Sequence, residues 1–355
     1  MNVLFGTTRQ WNPGDEFILM GCINLLHKVI GDFNPIIYNR NPQTRPVVKR
    51  KGVKKFFYEK FFSGNEFLDN SFKDDPEVNY VDLVVFAGSP EWKGERLSSL
   101  YDFIVKHNVP VVFIGLGSAK KFNFDEGFLT EKEMSVLNSA LFISCRDDVT
   151  FAGFDGKANA RKITCPALLS SKTSSVVEEV KKIGLIYGRS DAVNSNRVSE
   201  ETYDYLMRFY RKLIEIYSGQ YEFEFIAHYI DELPRFSEDF PGFKLNYSYD
   251  AKDYVDIFGK FDVVVGHRIH GIGLAASQGI PGVAISHDRR GATAKGFGAE
   301  MISVGEDLNM AVDKFNMVVS EVSTRSKKII FDKNALMDEY VSILSDALSE
   351  FNKKG

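Results

Sequence analysis

Between Phe261 and Asp288 the chain spells one strand–turn–helix–strand unit, FDVVVGHRIHGIGLAASQGIPGVAISHD. Val263 to Val265 is a short β-branched run of the kind that buried parallel strands carry. Ile272, Leu274, Ala275, Ala276 and Gln278 fit a small-residue helix lying on a sheet, and Gly279 with Pro281 stops it. The turn between strand and helix holds Gly266, His267, Arg268, His270 and Gly271. In open α/β sheets ligands bind where strand carboxyl ends meet helix N-termini, because free N–H groups and the helix dipole favour anions there. An always-charged arginine between two titratable imidazoles describes an anion site with a proton donor beside it.

The rest of the chain repeats this grammar. Strands are predicted at Asn2–Gly6, Pro35–Tyr38, Leu83–Ala87, Val111–Leu116, Leu141–Ser144 and Arg161–Thr164, with helices near Glu16–Val29, Gly94–His107, Thr130–Ser139 and Asp147–Phe154. A polar, aperiodic stretch, Ser170–Ser175, is the best linker candidate. The pattern restarts with strand Ile183–Tyr187, helix Glu200–Tyr217, strands Phe223–Ala227 and Phe243–Asn246, helix Lys252–Phe258 and then the 261–288 unit. An amphipathic helix over Asn334–Phe351 ends it. The expected organisation is an α/β domain over 1–170, a second over 176–330 and a C-terminal helix over 331–355, with a cleft between the domains.

Composition excludes several classes. The net charge of -4 leaves no basic footprint for nucleic acid, and no apolar run approaches the ~18–20 residues of a membrane span. The chain opens on a strand-like segment, with no signal peptide expected. Cys22, Cys145 and Cys165 are odd in number and far apart, which fits small core residues in a reducing cytoplasm rather than a disulfide framework. No His/Cys/Asp/Glu cluster has metal-ligand spacing, so neither a metal nor a cofactor is expected. Thirty phenylalanines imply a large aromatic core. The one strongly basic run, Arg45–Lys55, is followed by Phe56, Phe57, Tyr58, Phe61 and Phe62; it reads either as a solvated insertion or as a cleft-edge loop making peripheral contact with anionic lipid headgroups.

Other strand ends also carry chemistry. In Trp11-Asn-Pro-Gly-Asp-Glu-Phe-Ile18, Asp15 is the expected N-cap of the first helix, with Glu16 in its first turn, and Asn12, Gly14 and Asp15 are candidates to face the cleft. Gly88, and Gly115 with Gly117, mark two strand-to-glycine edges where a ligand or another backbone can come close. Neither forms a dinucleotide or P-loop motif. Arg146 follows another strand, either to bind an anion or to pair with Asp147 or Asp148. Arg189 is a candidate second anion contact. Ser286, His287, Asp288, Arg289, Arg290 and Lys295 follow the last strand of the 261–288 unit; they would complete a phosphate pocket, bind an acceptor, or form a plain polar loop.

Taken together these residues resemble the polysaccharide pyruvyl transferase family. The resemblance rests on Asn12-x-Gly14-Asp15-Glu16, Ala87-Gly88, Gly115-x-Gly117, Arg146-Asp147 and, above all, Gly266-His-Arg-Ile-His-Gly271 running through Gly279-Ile-Pro281 to Ile285-Ser-His-Asp288. It implies two facing Rossmann-like domains like those of the bilobed (GT-B) glycosyltransferases. It also implies transfer of the enolpyruvyl unit of phosphoenolpyruvate to two hydroxyls of a sugar or lipid-linked saccharide, giving a pyruvate ketal and phosphate. Arg268 and His270 stand where the family's donor-binding pair stands. Two departures, Ala87-Gly88-Ser89 for consecutive glycines and Cys165-Pro166 for Asp-Pro, lie outside that block and are expected to bear on the acceptor more than on the donor.

Within this reading Arg268 offers a planar fork for a carboxylate or phosphate, and His270 is the expected general acid, with His267 as substitute and Asp15 next in line. Two other functions fit the same residues: a nucleotide-sugar glycosyltransferase of the same shape, and a catalytically silent binding member of a polysaccharide assembly complex.

Overall fold

The computed structural model describes residues 1–7, 12–39, 81–88, 92–94, 97–118, 121–124, 127–154, 156, 158–191, 198–287 and 291–352. The basic run and its aromatics, together with Trp11, Ser89, Asp288, Arg289 and Arg290, lie outside the described residues.

Among the described residues, the strands form two parallel six-stranded sheets. The first contains β1 (Asn2–Thr7), β2 (Asn34–Asn39), β3 (Leu83–Ala87), β4 (Val111–Leu116), β5 (Phe142–Cys145) and β6 (Ala160–Lys162), in the order β2-β1-β3-β4-β5-β6. With it go α1 (Pro13–Ile30), α2 (Ser98–His107), α3 (Glu131–Ser139) and α4 (Asp148–Phe154). The second contains β7 (Lys182–Ile186), β8 (Glu222–Ile226), β9 (Leu245–Asn246), β10 (Val263–Gly266), β11 (Gly282–Ser286) and β12 (Glu300–Ser303), in the order β12-β11-β10-β7-β8-β9. Its helices are α5 (Glu200–Tyr217), α6 (Leu233–Asp239), α7 (Tyr254–Phe258), α8 (Ile269–Ser277), α9 (Ala292–Lys295) and α10 (Leu308–Ser320). A final helix, α11, runs from Val322 to Asn352.

Both sheets change winding direction once, at β1/β3 and at β7/β10. Such reversals open a crevice at the strand carboxyl ends. The loop into α1 leaves β1 at the first reversal, and the loop carrying Arg268 and His270 leaves β10 at the second.

Three apolar cores fill the layers. One packs α2 and α3 on the outer face of the first sheet, and one packs α5, α6 and α10 on the outer face of the second. In the second of these Phe225 meets Phe236, Phe240 and Phe243 with ring centroids 4.3–5.8 Å apart, part of the expected aromatic core. The third core lies between the sheets and belongs to both, joining Phe17, Ile18 and Leu25 of α1 to Ile272, Leu274 and Ala276 of α8 and to Leu336, Tyr340 and Leu344 of α11. Cys22 and Cys165 are buried in it, as expected of small core thiols.

Four of the described elements were not legible: β12, α6, α9 and α10. The strand β12 and helix α6 are short, and α10 carries its buried stripe at Ala311, Val312, Phe315 and Val318. The terminal helix begins at Val322, well before the expected Asn334. Its buried positions are Val322, Ser326, Ile329, Lys333, Leu336, Tyr340, Leu344 and Leu348, a regular helical stripe in which two members are polar. Ser326 Oγ donates to Gly279 O (2.6 Å), and Lys333 Nζ to Ser171 O (2.9 Å) and Ser277 O (2.5 Å). Polar side chains that satisfy backbone carbonyls broke the apolar periodicity in sequence without breaking the helix. The same contacts pin the Ser170–Ser175 stretch, where Ser170 and Ser171 are buried and Ser170 Oγ donates to Ser277 Oγ (3.1 Å). Further along, Tyr340 hydrogen-bonds Ser144 Oγ (3.0 Å) and donates to Thr164 O (3.1 Å), so α11 returns to the first sheet.

Candidate active site

The carboxyl ends of the two sheets face each other, and side chains from the two sides touch. Arg146, just after β5, places Nη1 3.1 Å from His270 Nε2 in the first turn of α8. A Cβ built on Gly14 would lie 3.3 Å from His270 Nδ1, so glycine in the first turn of α1 makes room for the imidazole. Tyr229, beyond β8, donates its hydroxyl to Asn12 Oδ1 (2.9 Å). The expected N-cap is corrected here. The cap of α1 is Asn12, whose Oδ1 accepts from Gly14 N (3.2 Å), because Pro13 already occupies the first helical position. Asp15 is a buried first-turn residue.

Arg146 takes neither of the expected acidic partners. Asp147 Oδ1 accepts from Thr150 N (2.7 Å), and Asp148 pairs with Lys162. The Arg146 residue is 7 % exposed, and its Nε is buried with no hydrogen-bond partner. Room for the guanidinium comes from Gly117, where a Cβ would stand 2.6 Å from Nε. Trp92 Nε1 donates to Gly117 O (3.1 Å) and fixes that edge. Cys165 lies against Arg146 as well: burial pushes its thiol up, and the Arg146 charge and hydrogen bond pull it back. The Cys165-Pro166 departure therefore borders the Arg146–His270 contact. With a neutral thiol there, no carboxylate among the described residues pairs with the guanidinium.

Arg268 is built differently. It is the N-cap residue of α8, and its Nη2 donates to Glu232 Oε1 (2.6 Å). Its guanidinium carbon lies 4.7 Å from the centroid of the Tyr229 ring. Glu232 ends the short 3₁₀ turn Ile230–Glu232 and is fully buried. Its other oxygen accepts from His228 N (2.8 Å) and Tyr229 N (3.0 Å). Burial pushes the carboxyl up, while Arg268 and the two N–H groups oppose it. At this distance the two groups stand as an ion pair.

The remaining candidates sort by what they touch. His267 is 1 % exposed and fills the space that Gly188 leaves, where a Cβ would be 2.5 Å from its Nε2; His287 lies 5.9 Å away between ring centroids. Gly271 gives way to His228, with a Cβ there 3.0 Å from Cε1. Gly88 (φ 67°) makes room for Ile18, and its N–H donates to Ile114 O (2.7 Å). Ser286 ends β11 with Gly291 packed on its hydroxyl. Arg189 is engaged by Asp191 through Nε (2.7 Å) and Nη2, and its Nη1 donates to Asp231 O (3.2 Å). Lys295 is exposed at the end of α9.

His228, Tyr229 and Glu232 were missed by sequence reasoning. The first two directly follow a recognised strand, so the strand-end rule used elsewhere would have found them. Nothing local marks Glu232.

Residues 12–289 match the model of the polysaccharide pyruvyl transferase family. The chain belongs to that family. No curated protein matches it in sequence. Solved structures show the fold it shares: the UDP-GlcNAc 2-epimerase of Neisseria meningitidis bound to UDP-GlcNAc is 11% identical, with 99% of this chain and 100% of that one covered and a TM-score of 0.56. Anabaena Alr3699/HepE in complex with UDP-glucose is 12% identical, covers 99% and 100%, and has a TM-score of 0.50. The S. aureus MnaA–UDP structure is 10% identical over 93% and 95%, also at 0.50. At such identities the likeness establishes the bilobed GT-B-like architecture, as expected from the sequence.

In this pyruvyl transferase family member two more groups shape the site's electrostatics. His228 is buried among Phe17, Tyr254 and Phe258, and burial followed by the Arg268 charge holds it well below the usual imidazole range. It stays neutral. Glu16, one residue past Asp15, is pushed up to about 8 by burial and then by Asp15 and Asp250, with Lys252 opposing. Among the described residues no group of three or more His, Cys, Asp or Glu side chains could hold a metal ion, and no helix is long and apolar enough to cross a membrane.

Proposed function

We propose that this protein transfers the enolpyruvyl unit of phosphoenolpyruvate to two hydroxyls of a sugar, forming a cyclic pyruvate ketal and releasing phosphate. The observation that carries the reading is Arg146: a buried guanidinium, touching the imidazole of His270 between two facing sheet edges and, among the described residues, forming no salt bridge with a carboxylate. An unmatched buried cation is costly, and a bound dianion or carboxylate removes the cost. Arg268, paired with Glu232, adds directed N–H donors, and the N-terminus of α8 adds its dipole.

The chemistry follows from the Arg146–His270 contact. While Arg146 donates to Nε2, the imidazole is neutral, with its proton on Nδ1. An anion beside Arg146 offsets that charge and raises the proton affinity of His270. The ring takes a proton from solvent at Nε2, releasing the Arg146 bond, and delivers it to the methylene carbon of phosphoenolpyruvate, leaving C2 oxocarbenium-like. A first sugar hydroxyl adds to C2, and its proton returns to His270. The C2–O bond to phosphate breaks, the second hydroxyl closes on C2, and its proton leaves with the phosphate. The acceptor is a free or lipid-linked saccharide of cell-surface polysaccharide synthesis. The reaction belongs in the cytoplasm, at the inner membrane face where the acceptor is lipid-linked.

The test is phosphate release from phosphoenolpyruvate against a panel of free and lipid-linked sugars, with calorimetry of phosphoenolpyruvate and UDP-sugars alongside. Acceptor-dependent phosphate release is the expected result. Affinity for a UDP-sugar with none for phosphoenolpyruvate would make the protein a glycosyltransferase. Donor binding with no turnover on any acceptor would make it a silent binding member of an assembly complex.

A further inference from the structure

The buried carboxylate of Glu232 does three things at once. One oxygen holds Arg268 Nη2 (2.6 Å), and the other holds the backbone N–H groups of His228 (2.8 Å) and Tyr229 (3.0 Å). The Tyr229 ring, set by that turn, lies under the Arg268 guanidinium at 4.7 Å, and its hydroxyl reaches Asn12 on the opposite domain (2.9 Å). A guanidinium is planar and rigid, so fixing one N–H bond and the face it stacks on fixes the direction of the others. An arginine without such a partner keeps most of its rotamer freedom and must lose it when an anion binds.

We propose that Glu232 is a positioning residue of the donor site: it sets the plane of Arg268 before the donor arrives and, through Tyr229, aligns that plane with the Asn12 end of α1. This rests on the transferase reading above. Glu232 touches no reacting atom in this scheme and acts through Arg268. Glutamine offers one acceptor oxygen where the carboxylate offers two. Glu232→Gln must therefore give up either the Arg268 bond or the pair of backbone bonds, and its amide then points a donor at a donor.

The experiment is a double-mutant cycle on phosphoenolpyruvate affinity, using the parent, Glu232→Gln, Arg268→Met and the double variant, with KM and kcat from phosphate release. Glu232→Gln is expected to weaken donor binding by roughly 10–100-fold, mainly through KM, as for loss of a charged hydrogen bond. In the Arg268→Met background the same change is expected to alter affinity by less than about twofold, because the residue it serves is gone. Equal losses in both backgrounds would make Glu232 a fold residue only and overturn the proposal, as would parental affinity in Glu232→Gln. Should Glu232→Gln fail to fold, Glu232→Asp carries the same cycle, keeping the charge but drawing both oxygens back by one methylene. A parent that binds no phosphoenolpyruvate overturns the transferase reading and this proposal together. A parent that binds it, with an indifferent Glu232 variant, overturns only the latter.

Discussion

The two arginines at the facing sheet edges, Arg146 buried and Arg268 nearly so, are built to opposite plans. Arg268, from the second domain, carries its counter-ion with it: Glu232 at 2.6 Å and an aromatic face beneath. Arg146, from the first, meets the imidazole of His270 and the neutral thiol of Cys165. The difference separates two jobs, direction and charge, that the sequence did not distinguish among its candidate anion-binding arginines. A paired guanidinium supplies direction with little net charge. An unpaired one would supply charge, next to the imidazole that the transferase reading makes the acid.

The largest effect should come from His270, the residue that Arg146 meets. His270→Gln is expected to retain most donor binding and to lose roughly 10²–10⁴-fold in turnover, since glutamine can accept from Arg146 but cannot deliver a proton. The parent's pH–rate profile should show an imidazole-range limb that the variant lacks. A His270→Gln enzyme keeping both rate and limb would move the acid elsewhere, with Asp15 as the next group to examine.

Truncating each arginine gives the next contrast. Arg268→Met strands a buried carboxylate and should destabilise the fold by about 3–5 kcal/mol. Arg146→Met removes an uncompensated buried charge and should leave stability unchanged or raised, while donor affinity falls. Thermal and denaturant unfolding of the pair checks this. Equal destabilisation by both would mean that Arg146 has a compensating partner.

Converting one plan into the other is a subtler change. Cys165→Asp would give Arg146 the carboxylate that Arg268 already has. Donor affinity is expected to fall on the order of tenfold as the site's net charge is cancelled, with stability unchanged or improved. Calorimetry with phosphoenolpyruvate reads the first effect and a melting curve the second. Unaltered affinity would show that the charge of Arg146 is not what attracts the donor.

The smallest effect concerns Glu16 beside the same helix end. Its pKa is raised from 4.5 to about 8, burial being the first cause. Between those values the folded state keeps a proton that the unfolded chain has lost, so stability declines as pH rises through the window and levels off above it. Glu16→Gln should flatten that decline without touching the His270 limb. A parent whose stability does not fall across that range would place Glu16 in a wetter setting than its burial implies.

Most of the architecture was legible because strand and helix signals are local. The β-branched run at Val263–Val265, the glycine-rich turn after it and the Gly279/Pro281 stop depend only on neighbours in the chain, and β10, α8 and β11 follow them to within a residue or two. So do the strands that begin the two halves. Elements were lost where burial is met by polar groups, as at Ser326 and Lys333, whose bonds to carbonyls of Gly279, Ser171 and Ser277 make polar side chains belong inside a helix stripe.

By itself, then, the chain's order of residues determined that Arg268, His270, Asn12 and Arg146 stand at strand ends, since a strand end is a local fact. Which of them meet was decided by tertiary structure alone. Arg146 and His270 are 124 positions apart, and Tyr229 and Asn12 are 217 apart; no local pattern encodes such a pairing. Whether a buried arginine is neutralised depends on one oxygen at hydrogen-bond distance. That oxygen came from Glu232, on a turn that no motif marks, and its counterpart beside Arg146 is a thiol. Charge balance at a site is a property of three-dimensional neighbours, and only the packing of two sheets edge to edge could set it.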